Sequence, residues 1–301
     1  MSLSIQQLSK FYGSQKALNQ ISFTAEKGQV VGFLGPNGAG KSTTMKIATG
    51  YMLADEGDVL VNGISVAERP QQISQLIGYL PEHNPLYLDM YVREFLSFTG
   101  GLYGMSGKSL KNRVEELIGL CGLEREAHKQ IQQLSKGYRQ RVGLAKALIH
   151  DPEVIILDEP TTGLDPNQLV EIRKLIKSIS ENKTLILSTH IMQEVEAICD
   201  KVVIINRGEI VAEDLLANLT KGSDQVSLVL ETEEELNLQW FEGIGSLTSS
   251  DRSNLVKIHV TDAAIARKAI LQVIANQNLN LVSLRQESKN LESIFQQITQ
   301  S

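Results

Sequence analysis

The stretch Gly35–Ser42 reads GPNGAGKS and fits the pattern G-x-x-x-x-G-K-[S/T] at every fixed position. It follows the apolar run Val30–Leu34 and opens a helical pattern over Lys41–Gly50, so a buried strand, a tight turn and a helix are predicted in that order. Glycines let backbone N–H groups converge on a phosphate without a clash from Cβ. The N-terminus of the helix adds positive potential. The stretch is therefore predicted to be a phosphate-binding loop.

The last two side chains of this loop extend its chemistry beyond the backbone. Lys41 is expected to reach the β- and γ-phosphates of a nucleotide, and Ser42 to supply a hydroxyl oxygen to Mg²⁺. An ordinary glycine-rich turn between a strand and a helix would not explain this Lys-Ser pair. The motif therefore favours a nucleoside triphosphate with Mg²⁺ as the ligand.

A second apolar strand pattern, Val154–Leu157, ends in the two carboxylates Asp158 and Glu159. At the end of a strand, Asp158 is suited to hold Mg²⁺ through its water shell. Glu159 is suited to orient and polarise an attacking water. The two acids would otherwise only cap the next helix, but their combination with a phosphate-binding loop favours hydrolysis.

Apolar runs of strand length alternate with helical patterns up to about residue 215, which predicts an α/β domain with a mainly parallel central sheet. The predicted buried strands are Val30–Leu34, Leu76–Leu80, Val154–Leu157, Thr184–Ser188 and Val202–Asn206. Extra N-terminal strands are predicted at Leu3–Leu8 and Ile21–Ala25, and a hairpin end at Val59–Val61 with Asn62-Gly63.

Two regions depart from this alternation. Between about residues 85 and 134 the strand signal disappears, and Tyr91–Tyr103 and Leu110–Cys121 carry helical spacing, which predicts an inserted helical subdomain. After a polar boundary, the strand and helix patterns of residues 223–301 predict a small α+β domain of ferredoxin-like order, with a helix starting at Glu231–Glu235 and a terminal helix at Leu291–Ile298. The predicted domains are thus 1–219 and 223–301.

Composition narrows the possible classes of protein. The 301 residues are 42% hydrophobic and 21% charged, which excludes a mainly disordered chain. The formal net charge of −6 argues against nucleic acid as a partner. Cys121 and Cys199 stand in apolar stretches without a Cys or His cluster, as expected of buried free thiols in a reducing compartment. The sequence shows neither a signal peptide pattern at its start nor an apolar run of membrane-spanning length.

Further motifs resemble those of the ATP-binding subunits of ABC transporters, over about residues 2 to 218. The stretch Leu134–Tyr138 reads LSKGY, and it resembles the family signature L-S-G-G-Q, departing from it at Lys136 and Tyr138. Ser135 itself is placed to cap a helix. The resemblance implies that Ser135 and Gly137 face the γ-phosphate held by a second subunit.

Three more positions match the family in the same order along the chain. Gly163–Asp165 resembles the D-loop, which implies a position across a dimer interface. His190 ends an apolar strand and resembles the switch histidine, which implies contact with the γ-phosphate. Tyr12 resembles the aromatic residue that stacks on adenine, with Phe11 as the alternative; an aromatic near an N-terminal strand is also easily a core residue.

One position differs from the family pattern in its charge. Glu82, in Ile77–Glu82, stands where the family usually has Gln. A carboxylate there either strengthens Mg²⁺ binding and repels phosphate when the metal is absent, or points away as a surface acid. The motifs around Glu82 and Ser135, together with the C-terminal extension, resemble the ABC-2 exporter branch, and within it the gliding-motility-associated ATPase subunit.

The resemblance implies a complete set of site residues for ATP and Mg²⁺. The implied catalytic residues are Lys41, Glu159 and His190, and the implied metal ligands are Ser42, Asp158 and Glu82. The implied nucleotide-binding residues are Tyr12, Gly35, Pro36, Asn37, Gly38, Ala39, Gly40, Lys41, Ser42, Thr43, Glu82, Ser135, Gly137 and Asp165.

The function implied is that of a subunit that powers an ABC exporter of ABC-2 type by ATP-driven closure of a homodimer. Its partners would be integral-membrane permease subunits, and through them it would be located at the cytoplasmic face of the cell membrane. The alternative is a soluble ABC ATPase in translation or DNA maintenance. That class usually has two cassettes or a long coiled coil, and this chain has one cassette. A nucleotide-sensing module would be expected to lack Glu159 or His190, and both are present.

Overall fold

The computed structural model describes residues 1–220, 226–249, 252–287 and 295. The chain divides into two compact units, Met1–Leu216 and Ala217–Ser301. Within the described residues, no helix is long and apolar enough to cross a membrane.

The first unit is built from ten strands and a set of helices. The strands are β1 (Leu3–Tyr12), β2 (Gln15–Ala25), β3 (Val30–Leu34), β4 (Glu56–Val61), β5 (Ile64–Ser65), β6 (Ile77–Leu80), β7 (Val154–Asp158), β8 (Thr184–Thr189), β9 (Lys201–Asn206) and β10 (Glu209–Leu215). The helices are α1 (Lys41–Ala48), α2 (Pro70–Leu76), α3 (Val92–Leu102), α4 (Gly107–Leu120), α5 (Lys136–Leu148), α6 (Pro166–Ser180), α7 (Met192–Ile198) and α8 (Leu216–Thr220), which begins where this unit ends; a 3₁₀ turn lies at Ile131–Gln133.

The central sheet has the strand order β10-β9-β3-β8-β7-β6. The pairings from β9 to β6 are all parallel, and only the edge strand β10 pairs antiparallel. Every residue of β3, β7 and β8 is buried, as expected of strands covered on both faces of a parallel sheet. The predicted α/β class with a mainly parallel central sheet is confirmed.

The register of this sheet brings three loops to one edge. Leu34 pairs with Thr189, and Asp158 pairs with Ser188. Because these strands are parallel, the segments that follow β3, β7 and β8 leave the sheet side by side at its carboxyl edge, where ligands bind in such sheets.

A second, antiparallel sheet of order β2-β1-β4-β5 packs against the central sheet. Its hairpin end is the predicted turn, because Asn62 and Gly63 both have positive φ, at 49° and 79°. The rings of Phe23 on β2 and Phe33 on β3 stack with centroids 5.1 Å apart. Burial of such side chains contributes about 1.5–3 kcal/mol each, and this contact holds the two sheets together.

The helical patterns after residue 85 are present as α3 and α4. On α3, Val92, Phe95 and Leu96 are buried, whereas Phe98 and Leu102 are exposed at 40% and 70%. The helix therefore carries apolar side chains on its exposed face as well as on the face that packs against the rest of the unit.

The second unit contains a four-stranded antiparallel sheet. Its elements are β11 (Val226–Thr232), a 3₁₀ turn (Leu238–Phe241), β12 (Ser246–Ser249), β13 (Leu255–Val260), α9 (Ala263–Asn276) and β14 (Leu281–Glu287). The strand order is β12-β13-β11-β14, which is the order of a ferredoxin-like sheet with a 3₁₀ turn in place of the first helix. Asp262 caps α9 by accepting hydrogen bonds from the N–H groups of Ala264 and Ile265 at 2.8 and 3.1 Å.

The predicted helix start at Glu231–Glu235 is wrong. Glu231 and Thr232 belong to β11, where Glu231 pairs with Leu255 on β13 and with Ser283 on β14. The predicted helix Leu291–Ile298 lies outside the described residues except at Phe295.

Candidate nucleotide-binding site

A cleft of about 480 Å³ opens at the carboxyl edge of the central sheet. It is lined by Tyr12, Gln15, Ala17, Asn37, Gly38, Gly40, Lys41, Ser42, Thr43, Glu82, Glu159, Thr162 and His190. Residues that lie far apart in the sequence are thus brought together, because β3, β7 and β8 are paired in parallel and the segments that follow them meet at one edge. Most of the nucleotide-binding residues named from the sequence line this cleft or belong to the loop that forms its floor.

The loop Gly35–Ser42 depends on its glycines at two positions. Gly40 has φ 114°, and a Cβ there would lie 2.6 Å from Leu18 Cδ2. At Gly35 a Cβ would lie 2.4 Å from the carbonyl oxygen of Ile205. The loop is therefore packed so closely on its neighbours that only glycine fits. Pro36 and the buried Ala39 complete the turn.

Lys41 is only 5% exposed. Its Nζ donates hydrogen bonds to the carbonyl oxygens of Gly35 and Pro36, at 2.8 and 3.2 Å, and lies 3.4 Å from Glu159 Oε1. The loop's own backbone thereby holds the ammonium group in the cleft, next to the carboxylate that follows β7. A fixed positive charge at this position is suited to phosphate oxygens.

Ser42, which lines the cleft, forms an oxygen pair with Asp158. Ser42 Oγ donates to Asp158 Oδ1 at 3.2 Å, and Ser188 Oγ donates to the same oxygen at 2.5 Å. Burial raises the pKa of Asp158, the two serine hydroxyls oppose this, and the charges of Glu82 and Glu159 add to the rise. A carboxylate destabilised in this way gains from a nearby cation. The hydroxyl and carboxylate oxygens are ligands that Mg²⁺ prefers, and this pair fits it together with water and phosphate oxygens.

Glu159 is held in an unusual backbone conformation, with φ 51°. Its N–H donates to both the hydroxyl and the carbonyl oxygen of Ser188, each at 3.1 Å. Its Oε2 accepts from Thr162 Oγ1 at 2.9 Å and lies 2.8 Å from His190 Nδ1. Burial raises the pKa of Glu159, but the hydrogen bonds from His190 and Thr162 and the charge of Lys41 outweigh it, so the pKa lies below its usual range. The carboxylate is therefore ionised at neutral pH, as a general base must be.

Two of the predicted catalytic residues, Lys41 and His190, thus both contact the third, Glu159, and the three form one cluster. Two further members of this cluster, Thr162 and Ser188, were not found by reasoning from the sequence. Ser188 was noted only as part of an apolar strand, and the pairing of β7 with β8 brings it to Asp158. No local pattern signals such a contact.

Behind His190 lies a buried carboxylate that the sequence did not reveal either. Glu194, 0% exposed, accepts a hydrogen bond from Thr189 Oγ1 at 2.7 Å through its Oε2. The same hydroxyl accepts from the N–H of Ile191 at 3.1 Å. On the other side, Arg173 of α6 lies 3.9 Å from Glu194 Oε1. Glu194 therefore supports both residues that flank His190 and links them to α6.

Replacing Glu194 with alanine is expected to lower the free energy of unfolding by about 1–3 kcal/mol, because it leaves the Thr189 hydroxyl without its acceptor and opens a cavity. Urea unfolding would measure the change. Gln193→Ala, at an exposed position of the same helix, is the matched control and is expected to have little effect. Equal stability of the two variants would contradict the supporting role of Glu194.

Tyr12 and Glu82 lie at the rim of the cleft. Tyr12 is 47% exposed, and its hydroxyl donates to Met52 Sδ at 3.1 Å. The alternative, Phe11, does not line the cleft, and its ring faces Lys16 Nζ at 5.5 Å. Glu82 is exposed, and its charge helps to raise the pKa of Asp158. These positions leave the Tyr12 ring partly exposed at the rim and bring the Glu82 carboxylate close enough to affect the pKa of Asp158.

Ser135, Gly137 and Asp165 do not line this cleft. Ser135 is exposed and caps α5, where its Oγ accepts from the N–H of Tyr138 at 3.4 Å. Gly137 packs so closely on Gln168 that a Cβ would lie 2.7 Å from its Cδ. Asp165 caps α6 by accepting from the N–H groups of Asn167 and Gln168, both at 3.0 Å. The structure of one chain therefore does not bring these residues to the phosphate-binding loop.

Comparison with known proteins identifies the family. The family model described as ABC transporter matches residues 18–162. The linearmycin resistance ATP-binding protein LnrL of Bacillus subtilis (strain 168) is 33% identical over 307 residues, covering 99% of this chain and 98% of the relative. The bacitracin transport ATP-binding protein BcrA of Bacillus licheniformis is 35% identical over 246 residues, covering 78% of this chain and 79% of the relative.

Solved structures agree with this result. The dimeric structure of a post-hydrolysis state of the ATP-binding cassette MJ0796, bound to ADP and Pi, has a TM-score of 0.66 and 27% identity, covering 71% of this chain and 98% of that chain. The chain belongs to the ATP-binding proteins of ABC transporters. It has the P-loop ABC cassette fold and is an ATPase subunit of a transporter.

Proposed function

We propose that this chain is the ATP-hydrolysing subunit of an ABC-2 type exporter, and that it acts as a homodimer docked on a permease at the cytoplasmic face of the membrane. The observation that carries the proposal is the division of the site residues. Lys41, Ser42 and Glu159 line one cleft and Asp158 is hydrogen-bonded to Ser42, whereas Ser135 caps a different helix outside the cleft. A second copy is needed to bring Ser135 to the cleft.

Within the cleft, each residue has a separate task. The loop backbone and Lys41 bind the β- and γ-phosphates of ATP. Ser42 and Asp158 would hold Mg²⁺, which neutralises phosphate charge and orients the triphosphate. Glu159 accepts a hydrogen bond from the attacking water and polarises it. His190 contacts the Glu159 carboxylate at 2.8 Å and fixes its direction, and Tyr12 offers its exposed ring to adenine.

The dimer is the step that would couple hydrolysis to transport. Ser135 stands at the N-terminus of α5, where the free N–H groups and the helix dipole favour an anion. The positive φ of Gly163, 73°, shapes the turn that leads to Asp165. We propose that both motifs meet the second subunit when ATP is bound, and that closure of the dimer moves the permease. The solved cassette MJ0796, described as dimeric, supports such an arrangement.

Glu82 is proposed as a further metal ligand that adjusts this site. It lines the cleft together with Ser42, and its charge raises the pKa of the Asp158 carboxyl group. Two carboxylates in mutual repulsion both gain when Mg²⁺ lies between them. A Gln at position 82 would supply an oxygen without this gain.

Export is supported by what the relatives are named for. LnrL is named for linearmycin resistance and BcrA for bacitracin transport. The alternative of a soluble ABC ATPase in translation or DNA maintenance is less well supported, because the net charge of −6 does not favour a nucleic acid partner. The likeness to the gliding-motility-associated subunit stays a prediction from the sequence, to be tested by the phenotype of a deletion.

Permease contact is proposed on the helical subdomain, at about residues 85–134. Leu88 is 45% exposed and Tyr87 60% exposed, and the Tyr87 ring meets the exposed Phe98 edge-on with centroids 5.7 Å apart. These side chains form an apolar patch that extends outward from the segment after Glu82. Exposed apolar patches of this kind mark interaction sites.

The experiment that tests the proposed function is purification of the tagged chain from detergent-solubilised membranes. An integral-membrane permease is expected to co-purify, and Leu88→Glu is expected to reduce its recovery at least about tenfold, because it places a charge in an apolar contact. ATP hydrolysis by the isolated variant should stay close to that of the unmodified chain. Leu120→Glu, at a leucine that is 43% exposed on α4, is the matched control. Recovery of no membrane protein with the unmodified chain would contradict the proposal.

Residues 223–301 are proposed to form an accessory domain without catalytic residues, beside an ATP-binding domain over residues 1–219. The residues that line the cleft end at His190. His259, a possible catalytic candidate in this region, lies between two hydroxyl groups, Ser227 Oγ at 2.7 Å and Thr248 Oγ1 at 3.0 Å. Both ring nitrogens therefore have hydrogen-bond partners within the sheet.

A further inference from the structure

Two charged side chains with unused hydrogen-bonding capacity lie close together behind His190. Glu194 of α7 is 0% exposed, and the side chain of Arg173 on α6 is 24% exposed. Within the part of the chain that the structure describes, neither Glu194 Oε1 nor Arg173 Nε has a hydrogen-bond partner. Arg173 Nη2 lies 3.9 Å from Glu194 Oε1. This distance makes an ion pair, but it is too long for a hydrogen bond.

Such a contact between a buried acid and its counter-charge is incomplete. A buried charge is stabilised when an opposite charge and hydrogen bonds together replace the lost water, and here only the charge is supplied. The planar guanidinium group of Arg173 can donate two parallel N–H groups to one carboxylate. Because α6 and α7 pack against each other, an approach of about 1 Å between them is enough to close the pair into hydrogen-bond range.

The carboxylate of Glu194 already holds the backbone around His190. Its Oε2 accepts from Thr189 Oγ1 at 2.7 Å, and this hydroxyl accepts from the N–H of Ile191 at 3.1 Å. His190 lies between these two residues, and its Nδ1 is 2.8 Å from Glu159 Oε2. The two oxygens of a carboxylate turn together, so a group that fixes Oε1 also fixes Oε2 and the hydroxyl bound to it. A closed pair would therefore hold His190 more firmly against Glu159.

The helix that carries Arg173 starts at the turn proposed to meet the second subunit. Asp165 ends this turn and caps α6. Arg173 follows eight residues later, about 12 Å along the same helix at 1.5 Å per residue. A displacement of the turn Gly163–Asp165 is thus passed along a rigid element to the pair with Glu194.

We propose that Arg173 is a positioning residue for ATP hydrolysis, which acts on His190 through Glu194. The pair closes when the turn before α6 meets the second subunit, so that the catalytic cluster is aligned only in the dimer. The inference rests on the proposed function, since it adds a residue to the site proposed there. Neither Arg173 nor Glu194 lines the nucleotide cleft, so both act at a distance from ATP.

Arg173→Met keeps an unbranched side chain but removes its charge and its N–H groups. We expect this variant of the full chain to lower kcat about tenfold or more, because small misplacements of catalytic groups are this costly. KM for ATP should stay within about twofold of normal, since no contact with the nucleotide is lost. Lys174→Met removes an exposed cation at the next position of α6. It is the matched control and should hydrolyse ATP at the normal rate.

Glu194→Gln tests the pair from its other side, and it carries the test if Arg173→Met does not fold. The amide keeps an oxygen that can accept from the Thr189 hydroxyl but loses the charge, so kcat should fall by a similar factor. The double variant should be no slower than either single variant, because the two residues act as a unit. Additive effects, or normal kcat in both single variants, would overturn the inference.

NMR of the His190 ring distinguishes positioning from a role in stability alone. The ring signal, identified by its absence in His190→Gln, should shift in Arg173→Met but not in Lys174→Met when a non-hydrolysable ATP analogue and Mg²⁺ are bound. An unchanged signal in Arg173→Met would contradict the positioning role. Glu159→Gln is the reference: normal hydrolysis by that variant would contradict the proposed function. Slow hydrolysis by it, beside normal hydrolysis by Arg173→Met, would overturn this inference alone.

Discussion

Glu159→Gln is expected to bind ATP with nearly unchanged affinity and to hydrolyse it about 10²- to 10⁴-fold more slowly, since the variant lacks the base that polarises water. The amide has nearly the size of the carboxylate. It also keeps an oxygen that can accept the hydrogen bond that Thr162 Oγ1 donates to Glu159 Oε2 at 2.9 Å. The left-handed backbone at this residue is unchanged by the substitution. Steady-state phosphate release and equilibrium ATP binding measure the two effects separately.

The same variant tests the dimer. With hydrolysis slowed, ATP and Mg²⁺ are expected to hold two chains together, so light scattering should give twice the monomer mass with ATP and the monomer mass without it. Glu153→Gln, at an exposed carboxylate that precedes β7, is the control and should hydrolyse ATP at the normal rate. A Glu159→Gln variant that stays monomeric at saturating ATP would contradict the shared site.

Lys41→Ala is expected to weaken ATP binding about 10- to 150-fold, because it removes a charge-assisted contact with the β- and γ-phosphates worth about 1.5–3 kcal/mol. The effect should be specific for these phosphates. AMP, which lacks both, is expected to bind the variant and the unmodified chain equally. Isothermal titration of the variant and the unmodified chain with ATP, ADP and AMP would measure the loss of affinity for each nucleotide.

Lys46→Ala provides the comparison for Lys41, because both lysines belong to α1 and only Lys41 is buried in the loop. It should leave ATP affinity within about twofold of normal. An equal loss of AMP and ATP binding in Lys41→Ala would show that the substitution disturbs the loop as a whole, and would contradict the specific role of the ammonium group.

The features that could be predicted from the sequence are those whose signal is local. The strand Val30–Leu34 and the loop after it follow from adjacent residues, and the structure has the strand at the predicted bounds. The strand at Val154 is one residue longer than predicted and ends at Asp158. In each case a run of apolar residues next to glycine or acidic residues is enough to indicate the element.

The features that were missed depend on contacts between distant segments. Ser188 reaches Asp158 only because β7 and β8 pair in one register, and Glu194 supports Thr189 only because α7 packs against α6 and β8. At Glu231, acidic residues favoured a helix start, but burial of Leu228 and Leu230 in the sheet determined the conformation. Tertiary packing overrides local propensity in such places.

The φ of 51° at Glu159 makes the residue that hydrolysis needs unfavourable for the stability of the fold. A residue other than glycine in this conformation loses about 1 kcal/mol or more of folding free energy, so glycine would suit the backbone better than glutamate does. A search that rewarded stability alone would be drawn to remove the carboxylate on which hydrolysis depends. Stabilised versions of this cassette should therefore be sought with position 159 held constant, and screened by turnover as well as by melting temperature.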